Sequence, residues 1–162
     1  MRPPRGVGKL TDTALGEETI VQHASDPESV VRAACEAIWT DGEVDRVPEF
    51  YAEHFEADYT FTDWGKGQAG VATLAAGIRA SFPDYREQID ELHVAGKTVT
   101  VILTIRGTHT GDRPGFPATG REVEFRDVSL IDVEDGRITR QRGLSDLLTH
   151  FVQLGLVTLP GQ

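Results

Sequence analysis

Residues 97–109 read Lys97-Thr-Val-Thr-Val-Ile-Leu-Thr-Ile-Arg-Gly-Thr-His109, and this stretch decides the fold. Apolar residues at the odd positions from Val99 to Ile105 alternate with Thr98, Thr100 and Thr104, a period of two that predicts a half-buried β-strand. His109 continues the apolar phase. Its imidazole is therefore predicted to lie on the same face of the strand as the hydrophobic side chains.

A second strand is predicted over residues 121–133, after a loop over 110–120 that holds three glycines and two prolines. In this strand Asp127 is in phase with Val123, Phe125 and Ile131, so it also points to the apolar side. If the loop closes tightly, His109 lies opposite residues 122–123. Asp127 is then roughly 13 Å from it, and the two side chains share a cavity without touching.

The dipeptide Asp135-Gly136 predicts a type I′ hairpin turn into a return strand over 137–143. A regular two-residue hairpin pairs Val133 with Ile138 and Ser129 with Arg142, which places Arg142 diagonal to Asp127. A carboxylate, a hydroxyl and a guanidinium would then share one apolar face. Because unpaired buried charge is costly, these groups either pair with one another or line a cavity.

The rest of the chain supplies helices and one further strand. A first helix begins at a cap formed by Ser25 or Asp26 and ends at Asp41-Gly42. Further elements are predicted as a helix over 44–55, a short strand over 59–63, a helix over 68–81, a strand over 89–94 and a terminal helix over 146–154. Helices gathered before a strand meander are typical of an α+β fold.

Length and composition predict one domain over residues 25–162, preceded by a flexible arm over 1–24. A net charge of −10 disfavours nucleic acid as a partner. Since no apolar run approaches the ~20 residues that span a bilayer and no signal peptide is evident, we expect a cytoplasmic protein without a membrane partner. The single cysteine, Cys35, falls among apolar helix positions and is interpreted as a buried structural thiol.

Common cofactor and catalytic motifs are not evident in the sequence. No GxGxxG or P-loop pattern follows a strand, the histidines lack HExxH spacing, and Ser145 is not in a GxSxG elbow. We therefore predict neither a cofactor nor a metal site.

An ordered set of short motifs over about residues 27–157 resembles the SnoaL-like polyketide (ester) cyclase family. These are Phe82-Pro-Asp84, Gly107-Thr-His-Thr-Gly111, Pro117-Ala-Thr-Gly-Arg121, Glu134-Asp-Gly-Arg-Ile138, Asp146 and Gln153-Leu-Gly155. The resemblance implies the cone-shaped α+β fold of nuclear transport factor 2, ketosteroid isomerase and limonene epoxide hydrolase. Three N-terminal helices would pack on a curved, mostly antiparallel sheet.

The resemblance also implies an activity. Characterised cyclases of this family use an aspartate as acid/base in a cofactor-free intramolecular aldol closure, and a neighbouring histidine helps to hold the substrate. His109 matches by motif position, and Asp127 is the best candidate for the aspartate. Where the family often has His-Trp, this chain has Gln141-Arg142, which favours a substrate with a carboxylate or an enolate-like oxygen near Arg142.

The sequence thus predicts an enzyme that acts on a polyketide-like or other small carbonyl substrate and forms a homodimer or higher homo-oligomer. Asp127 and His109 are the predicted catalytic residues. The predicted substrate contacts are Arg142, Ser129, Trp64, Tyr59 and Phe125. Arg142 would stabilise an enolate, but a tight ion pair between Arg142 and Asp127 would weaken Asp127 as a base.

Two alternatives remain open. An epoxide hydrolase of the same fold needs two aspartates bridged by an arginine around a water, and Asp127, Arg142 and either Asp63 or Asp146 have the required types. A non-catalytic module would only bind a small molecule in the same cavity.

Overall fold

The computed structural model describes residues 26–60, 62–112 and 116–161. The predicted arm over 1–24 and the alternative cap Ser25 lie outside the described residues. In the described ranges, no helix combines the length and the apolar character needed to cross a membrane.

In the part of the chain that the structure describes, four α-helices surround one sheet. Helix α1 (Pro27–Ala34) begins at Asp26, whose carboxylate accepts a hydrogen bond from the Ser29 backbone N–H at 3.0 Å. Proline fits the first helical position because its missing N–H is not needed there. The helix continues as a π-helical turn (Cys35–Thr40). A 3₁₀ turn (Val44–Arg46), α2 (Val47–Phe50), α3 (Gly67–Ser81) and α4 (Leu147–Leu154) complete the set.

The sheet has five strands in the order β1-β5-β4-β3-β2. They are β1 (Tyr51–Tyr59), β2 (Arg86–Ala95), β3 (Thr98–Thr108), β4 (Glu122–Glu134) and β5 (Arg137–Ser145). Among these described strands only the β1–β5 pair is parallel. The predicted α+β class and the mostly antiparallel sheet are confirmed.

The predicted helix over 44–55 is wrong beyond Phe50, and the short strand expected at 59–63 is also misplaced. From Tyr51 the chain runs extended as β1, which pairs with β5 from Tyr51 opposite Ile138 to Tyr59 opposite Gly143. Pairing with the edge of the sheet here overrides the local apolar spacing. Phe61, inside the predicted strand, is not among the described residues.

The β4–β5 hairpin shows why the predicted register is wrong. Asp135 and Gly136 both have positive φ, 49° and 73°, as a type I′ turn requires. Val133 pairs with Ile138 as predicted, but Asp132 then pairs with Arg140, which leaves Thr139 as a bulge. An extra residue reverses the faces of the strand beyond it. Gln141 and Ser145 consequently face inward, and Arg142 faces outward.

Candidate active site

The concave face of the sheet and the helices enclose a cavity of about 230 Å³. Its walls are mainly aliphatic and aromatic side chains from every helical segment except the 3₁₀ turn and α2. Its polar lining residues include Tyr59, Glu87, Asp127, Gln141, Ser145 and His150. A mostly apolar pocket with a few convergent polar groups is the usual form of a small-molecule site.

Asp127 is the most constrained of these groups. Its side chain is almost fully buried, and both carboxylate oxygens accept short hydrogen bonds: Oδ1 from the Ser129 hydroxyl and Oδ2 from the Ser145 hydroxyl, each at 2.5 Å. Ser145 lies directly opposite Asp127 on β5 because of the bulge at Thr139. The carboxylate is therefore fixed in orientation at the cavity wall.

A directed hydrogen-bond chain leads to this carboxylate. Ser129 has one hydroxyl proton and gives it to Asp127, so the 2.5 Å bond between Ser129 and Tyr59 must be donated by the Tyr59 hydroxyl. The Tyr59 oxygen in turn accepts from Gln141 Nε2 at 2.9 Å. Burial, followed by the negative charge of Asp127, raises the pKa of Tyr59, so the phenol keeps the proton that the chain requires.

The aromatic wall beside this chain contains the other predicted substrate contacts. The rings of Tyr59 and Trp64 stack with centroids 5.0 Å apart, and both residues line the cavity, as does Phe125. Ser129, in contrast, is fully buried beneath the surface and is not part of the lining. The structure thus brings Tyr59, Trp64 and Phe125 to the cavity and makes Ser129 a support for Asp127.

His109 does point to the apolar face, but it is completely buried and does not line the cavity. Its Nδ1 accepts a hydrogen bond from the Thr119 backbone N–H at 3.2 Å, and its ring packs between Phe82 and Phe116. Its backbone pairs with Arg121, six residues from Asp127 along β4 and hence about 20 Å away. The structure does not bring His109 and Asp127 together.

Arg142 lies on the outer face of the sheet, where its guanidinium pairs with Asp132 at 3.0 Å. It does not line the cavity. Asp146 caps α4 by accepting from the Thr149 backbone N–H, and Asp63 accepts from the Gly65 backbone N–H. The arginine-bridged pair of aspartates that an epoxide hydrolase of this fold needs is not assembled from these residues.

Two titratable cavity residues were missed by the sequence interpretation. Glu87 on β2 lies between Tyr85 and Ile89 in the period-two pattern, and it accepts a hydrogen bond from the Tyr85 hydroxyl at 2.9 Å. His150 on α4 is three residues after Leu147 and four before Leu154, which is a helical spacing. In both cases the signal was a polar residue on an apolar face.

His150 packs in an aromatic surround formed by Phe82, Phe125 and Phe151. Burial, followed by the neighbouring charge of His109, lowers the pKa of His150 from 6.5 to about 4. The imidazole is therefore neutral at physiological pH, and its Nδ1 is buried with no hydrogen-bond partner among the described residues.

This shift predicts an acid-dependent loss of stability. Between pH 6.5 and pH 4, His150 is protonated in the unfolded chain but not in the folded protein. The free energy of unfolding therefore falls as the pH falls. In His150→Gln the loss between pH 7 and pH 5 should be smaller by about 1–2 kcal/mol. Urea unfolding at both pH values measures this change. The exposed His93→Gln is the control, and parallel pH slopes in His150→Gln and wild type would contradict the prediction.

Comparison with known proteins places these features in a family. The model of the SnoaL-like polyketide cyclase family matches residues 29–154. Aklanonic acid methyl ester cyclase DauD from Streptomyces sp. (strain C5) is 28% identical over 130 residues, which are 78% of this chain and 80% of that enzyme. Aklanonic acid methyl ester cyclase DnrD from Streptomyces peucetius is 32% identical over 92 residues, 56% of this chain, and the match spans 63% of that relative's length.

A solved structure extends the comparison to the fold. A candidate polyketide cyclase from Acidithiobacillus ferrooxidans superposes with a TM-score of 0.73 at 22% identity, covering 82% of this chain and 96% of that one. This likeness confirms the cone-shaped α+β fold of nuclear transport factor 2 that the family resemblance implied. Together with the match over residues 29–154, it shows that the chain belongs to the SnoaL-like polyketide cyclase family.

Proposed function

We propose that the protein is a cyclase that closes a ring by intramolecular aldol addition, with Asp127 as the base. The observation that carries the proposal is a buried carboxylate at the wall of an apolar cavity, with each oxygen held by one serine hydroxyl at 2.5 Å. A carboxylate oxygen has two acceptor sites. Each oxygen of Asp127 therefore keeps one site that can take a proton from a substrate.

The chemistry that suits this arrangement begins at a methylene between two carbonyl groups, whose C–H is acidic enough for a desolvated carboxylate. Asp127 takes that proton, and the electron pair of the C–H bond forms an enolate. The enolate carbon attacks a second carbonyl of the same molecule, a C–C bond forms, and the carbonyl oxygen becomes an alkoxide. Protonation of the alkoxide gives a cyclic product of the same composition as the substrate.

The cavity also constrains the substrate. At about 230 Å³ it is smaller than the ~300–1,000 Å³ of pockets that enclose drug-sized ligands. A small carbonyl compound would fit entirely, whereas a larger polyketide would insert only its reacting end. The stacked rings of Tyr59 and Trp64 provide a flat wall against which a planar conjugated substrate would pack.

The proposal is tested with aklanonic acid methyl ester, the compound in the names of two relatives. In D₂O the wild-type protein should catalyse deuterium incorporation at an activated methylene and formation of a cyclic isomer, followed by mass spectrometry and chromatography. A reaction without protein measures the background. Saturable binding of this ester with neither exchange nor product would contradict a catalytic role towards it and favour the binding module.

A further inference from the structure

The cavity contains a second carboxyl group, that of Glu87, which takes no part in the steps described above. Glu87 on β2 pairs with Ile105 on β3, and Asp127 on β4 pairs with Leu103 on β3. The two carboxyl residues are thus two strands apart and two residues apart along the sheet, which is about 12 Å between their Cα atoms. Both line the same concave wall, so one ligand can lie between them.

The position of Glu87 is fixed by its neighbours. The Thr40 hydroxyl accepts from the Glu87 backbone N–H at 3.1 Å, which ties this point of β2 to the end of the π-helical turn. The Tyr85 hydroxyl donates to Glu87 Oε1 at 2.9 Å, and the Cys35 thiol is also hydrogen-bonded to Glu87. The carboxyl is therefore held in place from two sides and presented to the cavity.

Among the described residues, the side chains that shift the pKa of Glu87 are Tyr85, Asp127 and Cys35, none of them cationic, whereas the Arg79 guanidinium nearby donates to the backbone oxygens of Tyr85 and Thr40. After burial, the charge of Glu87 contributes to the raised pKa of four neighbouring groups: Cys35, Tyr51, Tyr59 and Tyr85. Burial, together with the negative charge of Asp127, raises the pKa of Glu87 from 4.5 to about 8. A carboxyl group that keeps its proton near neutral pH, in one cavity with a second carboxyl group, has the property expected of a general acid.

We propose that Glu87 is the proton donor of the cavity, a second catalytic carboxyl that protonates the alkoxide formed when the ring closes. The assignment rests on the proposed cyclase reaction. Asp127 gains the proton lost from carbon, the new C–C bond turns the attacked carbonyl into an alkoxide, and the O–H bond of Glu87 breaks as the product O–H bond forms. Afterwards Asp127 gives its proton to water and Glu87 takes one from water, so the cycle needs no other co-reactant.

The decisive experiment separates the two proton transfers in the variant Glu87→Gln, with aklanonic acid methyl ester as the probe. Glutamine keeps the size and a hydrogen-bond donor but has no proton to give. Deuterium exchange at the methylene, which needs only the base, should continue. Ring closure should fall by about 10²- to 10⁴-fold in kcat, the usual contribution of a general acid, with little change in KM.

The pH profile provides the second readout. In the wild type, ring closure should decline above about pH 8 as Glu87 ionises, and this alkaline limb should be absent in Glu87→Gln. Glu91→Gln is the matched control, because Glu91 is on the same strand with 61% of its side chain exposed. Its rates and profile should equal those of the wild type.

The outcomes distinguish this inference from the proposed function. Unchanged ring closure in Glu87→Gln, equal losses of exchange and closure, or a retained alkaline limb would each overturn the role of Glu87 as acid. If Asp127→Asn loses turnover while Glu87→Gln keeps it, the cyclase reaction stands and only this inference fails. A wild-type protein that catalyses neither exchange nor closure of the ester overturns both.

Discussion

Replacing Asp127 with asparagine should lower both deuterium exchange and ring closure of aklanonic acid methyl ester by about 10²- to 10⁴-fold, because the variant has no base for the carbon acid. Asparagine has nearly the same shape. Its amide oxygen can accept from one of the two serine hydroxyls, and its NH₂ group can donate to the other after that hydroxyl rotates. The fold and the cavity should therefore persist.

The measurement is kcat together with the dissociation constant of the same ester, determined by fluorescence quenching of Trp39 and Trp64, which both line the cavity. Affinity should change little while kcat falls. Ser145→Ala is the matched comparison, since it removes one hydrogen bond but leaves the carboxylate and the Ser129 bond in place. Its loss of rate should be much smaller. Turnover by Asp127→Asn within a few fold of the wild type would rule out Asp127 as the base.

Placing a side chain at Gly143 should have a large effect on stability. Gly143 lies between Tyr59 on β1 and Ser129 on β4, in register with both, and the Tyr59 ring passes over it to reach the Ser129 hydroxyl. A Cβ atom at Gly143 would overlap the Cζ atom and the hydroxyl of Tyr59. Gly143→Ala should displace the phenol, break the hydrogen-bond chain to Asp127 and cost about 1–3 kcal/mol of stability through overpacking.

A double-mutant cycle with Tyr59→Ala tests this mechanism. If the collision with the ring is the cause, Gly143→Ala should cost almost nothing in the Tyr59→Ala background, as measured by urea unfolding. Tyr59→Phe is the complementary control, because it removes the hydroxyl but keeps most of the ring. Its stability should stay nearer to that of the wild type while ring closure slows. Additive stability losses in the cycle would show that the cost arises elsewhere.

The central strands could be predicted because their signal is local. The alternation from Val99 to Ile105 and the Asp135-Gly136 turn report the pleat and the hairpin directly, and both are confirmed. The inward direction of Asp127 follows from the same alternation. These features need no knowledge of what packs against the sheet.

Which β5 residues line the site could not be predicted, because the answer depends on a shift of one residue in the pairing of β4 with β5. Thr139 looks like any other strand residue, yet the bulge there exchanges Arg142 for Gln141 at the cavity and brings Ser145 opposite Asp127. The strand at Tyr51 was likewise mistaken for helix, since pairing with Ile138 is a long-range contact. His150 and Glu87 required knowing that α4 and β2 both border the cavity.

The bulge at Thr139 also determines which β5 side chains, and hence which charges, face the cavity. If Thr139 paired with Asp132 in a regular hairpin, without the bulge, the inward set Gln141, Gly143 and Ser145 would be exchanged for Arg140, Arg142 and Leu144. A neutral hydrogen-bonding wall would become a cationic one without any codon for those residues being altered. In this hairpin, a shift of one residue in register is thus a route to a new substrate charge preference that needs no substitution at the cavity wall.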